Sequence, residues 1–364
     1  MTETPLSHAG KERMTLGPDR VWMIRPLLDD RWSQFVDRHA NSSVFHTIGW
    51  LTALHTAYGY EPIALTTSSP SQKLTNALLF CSVQSWLTRG RLVSLPFTDH
   101  CEPLVESIEQ LQTLCARLDT LQKTQRWAYA ELRTSEPLLD FEKSFRACKT
   151  YLWHRLDLRP RLDAIEKRFH KDCIKRRIRH AERQGLMYEQ GRSNSLLQSF
   201  YDLIVRMRSR KHLPPQPFSW FQRLVASMGK NVCIRVAFKG DQPVAGILTL
   251  NHGRTVYYKY GGSDARFHHL GATPMLFWQA IQTAKSAGME TLDLGRSDVE
   301  DRGLIMFKER WGAESVRLTL WRSPIAEGSL FLEHLKMRLA RTVCTYMPHR
   351  MLVFAGQLMY RHIG

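Results

Sequence analysis

The chain has 364 residues, 43% of them hydrophobic and 10% aromatic, which excludes global disorder and predicts two domains rather than one. Seven scattered cysteines without a C-x-x-C pair exclude a disulfide framework or a zinc ribbon and point to reduced thiols in a cytosolic protein. A net charge of +17 predicts attraction to polyanions, which leaves nucleic acid, anionic lipid and phosphorylated substrates as candidate partners.

Residues 1–20 are polar, lack an apolar signal core and are expected to form a flexible leader. No apolar run approaches the roughly 18 residues that a membrane-spanning helix needs. A loop then feeds a helix in which Trp50, Leu51, Leu54 and Ala57 recur at helical spacing and Gly59 stops the pattern. The stretches "PIALTT", "NALLFCSVQ" and "RLVSLPF" have strand character, and an amphipathic helix over "EPLVESIEQLQTLCARLDTLQKTQ" leads to the strand "WAYAELR". From residue 151 the alternation restarts. The strand "YLWHRLDL" is followed by one long helix closed by Gly185, a second helix, a proline-rich loop and a third helix. Three strands follow, joined by the turns "KGDQP" and "NHGR". A helix with Thr273 as N-cap and Pro274 as first residue then leads into the strand "METLDLG". Both halves mix strands and helices in one α/β style, which predicts two similar folds in tandem.

The second half becomes specific in "YYKYGGSD", "HHLGATPMLFWQAIQTAKSAGMETLDLGRSD" and "GLIMFKERWGA". These residues resemble the Fem-type branch of the GNAT superfamily, as do "FHTIGW" and "SLPFTDHCEPL" in the first half. The resemblance covers roughly residues 40–325 and is sharpest in D-x-G-R…G-L-x-x-F-K-x-x-W-G. It implies an α/β fold of two tandem GNAT-like domains with mixed sheets flanked by helices, plus a C-terminal helical tail. The expected divisions are 21–150, 151–325 and 326–364. It also implies an acyltransferase acting on an amine of a cell-envelope, peptidoglycan or polysaccharide precursor. No tightly bound cofactor is implied; the donor substrate is acyl-CoA or aminoacyl-tRNA. The positions matching the pyrophosphate loop are His268, Gly271, Ala272 and Thr273, with histidine where a glutamine or arginine is usual.

Amine attack on an ester or thioester puts negative charge on the carbonyl oxygen, and a fixed cation there stabilises it by about 3–4 kcal/mol. The resemblance assigns that role to Lys308, with Phe307 expected to pack beneath its stem. Asp293, Arg296 and Asp298 are expected at an open strand end. Either aspartate would orient or deprotonate the incoming ammonium, and Arg296 would bind substrate with Tyr258 and Arg210. Glu300, Asp301 and Arg302 are expected to form a solvated turn.

Lys171, Lys175, Arg179 and Arg183 fall four apart and predict one basic helix face, with Phe169, Ile174, Ile178 and Ala181 on another side. The tail is two apolar, basic helices split at Pro348, suited either to capping the sheet or to lying on an anionic membrane surface. A cytoplasmic enzyme, peripheral on the inner membrane face if the tail binds lipid, is the expectation. The alternative is a non-catalytic binding protein on the same fold, recruited to nucleic acid or anionic membrane.

Overall fold

The computed structural model describes residues 20–84, 90–125, 127–135, 145–323, 344–345 and 347–363. The expected leader up to residue 19 and the first expected tail helix lie outside them.

The first half comprises β1 (Trp22–Ile24), α1 (Arg31–Arg38), α2 (Ile48–Tyr58), β2 (Glu61–Thr66), β3 (Leu78–Val83), β4 (Arg91–Val93), α3 (Ile108–Gln125) and β5 (Ala130–Thr134). After β6 (Arg146–Asp157) come α4 (Leu162–Arg168), α5 (Arg176–Arg183), β7 (Met187–Gly191), α6 (Asn194–Arg210) and α7 (Phe218–Met228). The second half continues with β8 (Val232–Lys239), β9 (Gln242–His252), β10 (Thr255–Ser263), α8 (Ala272–Ser286), β11 (Thr291–Asp298), α9 (Arg302–Glu309) and β12 (Glu314–Ser323). One further helix, α10 (His349–Ile363), follows Pro348.

All twelve strands join one sheet in the order β1-β2-β3-β4-β5-β12-β6-β11-β10-β9-β8-β7. Each half is an antiparallel meander of four strands whose last member pairs in parallel with a fifth across a helix. In the first half this is β4 with β5 around α3; in the second it is β10 with β11 around α8. That duplicated path is the tandem architecture. Strand β12 lies between β5 and β6 and is antiparallel to both, so the end of the second half seals the sheet of the first.

Three cores form. The central one joins Trp50, Leu54 and Val93 of the first half to Phe200, Trp220 and Leu248 of the second. Trp50 and Trp220 meet edge to face at 5.5 Å between α2 and α7, a geometry that aromatic quadrupoles favour. The other two cores back the outer faces, one under α3 and one under α5, α8 and α9.

Local rules explain most boundaries. Thr47 caps α2 by accepting from Trp50 N, and Gly59 ends the helix at φ 71°. Two boundaries differ from the sequence reading. Helix α8 starts after Gly271, so Thr273 and Pro274 are its second and third residues; proline fits there because first-turn N–H groups need no intrahelical partner. The single long helix expected before Gly185 is α4, a break, a π-helical turn over Lys171–Lys175, and α5. The turn starts at His170, whose ring accepts from the N–H groups of Asp172 and Cys173.

A buried cation cluster as the candidate active site

Strands β10 and β11 pair only through Thr255–Tyr257 and Thr291–Asp293, then part. Each carries a register shift where they diverge, between Tyr258 and Tyr260 on β10 and between Asp293 and Arg296 on β11. Such bulges re-aim side chains. Here they turn Lys259 and Gly295 toward a common point, which a loop from the first half also reaches. That loop holds two non-glycine residues at positive φ, Leu95 at 59° and Phe97 at 61°. Arg133 holds it in place, donating from Nη1 to Leu95 O at 2.8 Å and to Thr98 O at 3.2 Å. Strained backbone over-determined in this way is a common companion of function.

The loop delivers Asp99. Its Oδ2 accepts from Lys259 Nζ at 2.7 Å, with the lysine side chain 6% exposed. The lysine ammonium also lies 5.1 Å from the ring centre of Phe45. Gly295 has φ 70°, and a β-carbon there would lie 3.1 Å from the Asp99 carboxyl carbon. Only glycine suits both the left-handed backbone and that approach. From the other side of the sheet, Lys308 of α9 donates from Nζ to Gly295 O at 2.8 Å and to Arg296 O at 2.9 Å. Lys308 is 2% exposed. Its amine is therefore inside the protein, beside the divergence of the strands.

Electrostatics follow from this crowding. Burial alone would raise the Asp99 carboxyl, but Lys259, Arg296 and Lys308 draw it down to about 2. Burial lowers Lys308 to about 8; Asp99 and Asp293 oppose that fall and Lys259 adds to it. Burial also lowers Lys259, against the pull of Asp99. Tyr258 is pushed up to about 12, by burial first and then by Asp99, so its hydroxyl keeps its proton. His154 on β6 is fully buried and is lowered to about 4 by burial and then by Lys308. Among the described residues, Ser297 Oγ and Arg296 Nη1 meet no hydrogen-bond partner. Unpaired buried polar atoms are rare in folded proteins.

The other expected residues divide. Asp293, 2% exposed, accepts from Trp153 Nε1 at 2.9 Å and Gly295 N at 2.7 Å and lies 3.1 Å from His100 Nε2. It is an anchor between the two halves, with its oxygens occupied. Arg296 stacks 4.3 Å from the ring centre of Tyr151. Asp298 sits at the outer end of β11 in an ion pair with Lys149 at 2.5 Å, its side chain 34% exposed. Phe307 does not support Lys308, because adjacent helix residues point about 100° apart. It packs instead on Phe277 at 5.5 Å. Asp301 is more than a solvated turn residue: it caps α9 by accepting from Leu304 N at 3.0 Å.

His268, Gly271, Ala272, Thr273 and Phe307 line one cavity of about 450 Å³, together with Arg177 of α5. Arg177 Nη1 donates to His268 O at 3.1 Å, and His268 Nε2 lies 2.9 Å from Ser263 Oγ. Partial desolvation and then Arg210 lower the His268 ring, which keeps it uncharged near neutrality. Arg177 thus lines the cavity where the expected loop cation is missing. A larger groove of about 870 Å³ runs along the opposite side of α5, lined by six cations, Lys167, Lys171, Lys175, Arg176, Arg179 and Arg183, against two carboxylates, Asp172 and Glu182.

Residues 168–303 match the family model described as acetyltransferase (GNAT) domain. That stretch of the chain is similar to the GNAT acetyltransferase domain. A curated relative, UDP-N-acetylmuramoylpentapeptide-lysine N(6)-alanyltransferase of Weissella viridescens, is 28% identical over 138 residues, 37% of this chain. The chain spans 40% of that relative's length. The FemX crystal structure aligns at TM-score 0.65 and 14% identity over 86% of this chain and 99% of FemX. L-PGS from Bacillus licheniformis aligns at 0.57 and 13% over 85% and 95% of the two chains. A tandem GNAT protein from the clavulanic acid biosynthesis pathway aligns at 0.52 and 9% over 83% and 98%. At these identities the structures establish the fold. Within the GNAT domain, β10, α8 and β11 supply the diverging strands and the loop. The preceding half supplies Asp99 and His100.

Sequence reasoning singled out neither Asp99 nor Lys259. Lys259 had a signal: it is the one charge inside the otherwise uncharged run "TVYYKYGGS" of β10. Asp99 had only its place in the quoted "SLPFTDHCEPL", since its partner is 160 residues away.

Proposed function

We propose that the protein is an acyltransferase that moves an acyl or aminoacyl group from a phosphate-bearing donor to an amine of a cell-envelope precursor. The observation that carries this is the bonding of Lys308. An ammonium has three N–H donors. Two are spent on Gly295 O and Arg296 O, and the third remains for an oxyanion. A buried, pre-aimed cation of this kind is worth about 3–4 kcal/mol in the transition state.

Asp99 stays ionised and spends one oxygen on Lys259, leaving the other for the acceptor ammonium. A carboxylate held near 2 is a weak base, so it positions the amine rather than deprotonating it. As the amine nitrogen bonds to the carbonyl carbon, the ester or thioester bond breaks. The ammonium must first lose one proton to solvent, because only the free amine has a lone pair to attack with; the surplus proton of the adduct then leaves with the released oxygen or sulfur.

The donor enters through the cavity at the start of α8, where Arg177 meets its phosphates. Of the two donors, the basic groove along α5 favours aminoacyl-tRNA, because six cations against two carboxylates suit a phosphodiester backbone better than a single pyrophosphate. Such a donor places the enzyme in the cytoplasm, at the membrane face when the acceptor is lipid-linked.

The test is to incubate the full chain with an amine-bearing muropeptide precursor and either labelled alanyl-tRNA or labelled acetyl-CoA. Product from alanyl-tRNA that is lost in Lys308→Ala supports the reading. Product from acetyl-CoA alone overturns the donor. No product from either, with RNA still bound, leaves a binding protein on this fold.

A further inference from the structure

Helix α10 is fixed to the body along one side. Leu352 is 2% exposed. A β-carbon on Gly356 would lie 2.1 Å from Pro215 O, so the helix backbone lies flush against that loop. Tyr360 ties the far end: its hydroxyl meets Arg208 Nη2 at 2.5 Å and Pro214 O at 3.2 Å, and its carbonyl accepts from Tyr60 Oη at 2.8 Å. Arg91 Nη2 donates to His362 O at 2.9 Å.

The opposite side is held outward by the same bonds. Met351, Phe354 and Leu358 are 54%, 61% and 57% exposed. At 3.6 residues per turn they fall within about 60° of arc, and Arg350 and Arg361 fall at its edge. Both arginines are exposed, and α10 contains no acidic residue. Large exposed apolar side chains gathered in one stripe are unusual on a soluble surface. A stripe bordered by arginines and free of carboxylates has the composition of a helix that lies in the plane of an anionic bilayer.

We propose that α10 seats the protein on anionic membrane, with Met351, Phe354 and Leu358 entering the headgroup boundary and Arg350 and Arg361 pairing with lipid phosphates. The proposal does not depend on the acyl-transfer reading. It uses different residues and has its own assay. The helix adds no long apolar span: among the described residues no helix is long and apolar enough to cross a membrane.

The experiment is co-sedimentation of the full chain with vesicles of phosphatidylglycerol and phosphatidylcholine, compared with phosphatidylcholine alone. A triple variant, Met351→Ser, Phe354→Ser and Leu358→Ser, is run beside it, with circular dichroism and sedimentation velocity on both proteins. Expected is binding to the anionic vesicles only, weakened by about tenfold or more in the variant, with the fold and the mass unchanged. Equal binding by the variant would overturn the proposal and assign vesicle affinity to the general basic surface. Absence of vesicle binding, or a wild-type dimer that the variant turns into monomer, would overturn it as well; the dimer would make the stripe a contact between copies.

Discussion

Lys308 concentrates the chemistry in one side chain, and its environment makes opposite demands on stability and activity. Its folded value is depressed from 10.5 to about 8 by burial. The buried charge therefore costs stability below pH 8, and stability recovers as pH climbs from about 8 toward 10.5. Catalysis needs the charged form, so activity should decline on the alkaline side near pH 8. Lys308→Ala should lower kcat by about 10²–10³ while circular dichroism stays native. Lys308→Arg, if it transfers at all, should lose the alkaline decline, because arginine stays charged. A pH–rate profile that keeps the same limb in that variant would remove Lys308 from the mechanism. Asp99 has a partner problem of its own. Asp99→Asn strands the Lys259 charge in the interior, and breaking a buried pair on one side costs about 3–5 kcal/mol. Adding Lys259→Met should restore most of that stability in urea unfolding without restoring transfer.

At the scale of elements, the decisive features are irregularities. Gly295 lies in a register shift of β11; Gly295→Ala should cost about 1–2 kcal/mol from the left-handed backbone and displace Asp99 as well, so transfer should fall further than stability does. The π-helical turn before α5 gathers Lys171 and Lys175 with Arg179 and Arg183 into one groove. Replacing Lys175 and Arg179 by alanine should flatten the salt dependence of RNA binding by about one unit of slope for each lost phosphate contact. An unchanged slope would move the nucleic-acid path elsewhere. The regular elements were legible in sequence where periodicity and caps are local: α2, α8 and strands β2–β6 and β8–β11 follow from them, while β7, exposed along nearly its whole length, carries no such pattern. The irregular ones were not. The 162–183 pattern keeps its apolar spacing across the break, so it suggests one helix. The bulges, and the pairing of Asp298 with Lys149, depend on which strands become neighbours. Lys308 itself was legible only through the short motif around it. Asp99, Lys259 and His154 come from three separate segments that meet in space.

Across the whole molecule, β12 binds the halves more firmly than a linker would. It gives the first half its neighbour for β5 and the second its neighbour for β6. The central core is likewise built from both. Calorimetry should show one cooperative transition rather than two, and Leu320→Pro, which removes a ladder donor in mid-strand, should abolish folding of both halves. Two resolved transitions would show that each half is stable alone. The same arrangement imposes a schedule on biosynthesis. The exposed edge of β5 is complete once Thr134 leaves the ribosome, yet the strand that covers it ends at Ser323. At ordinary elongation rates that delay is roughly 10–40 s. During it, a nascent chain carries an uncapped edge, and chaperones that shield such edges have their longest claim on this protein there.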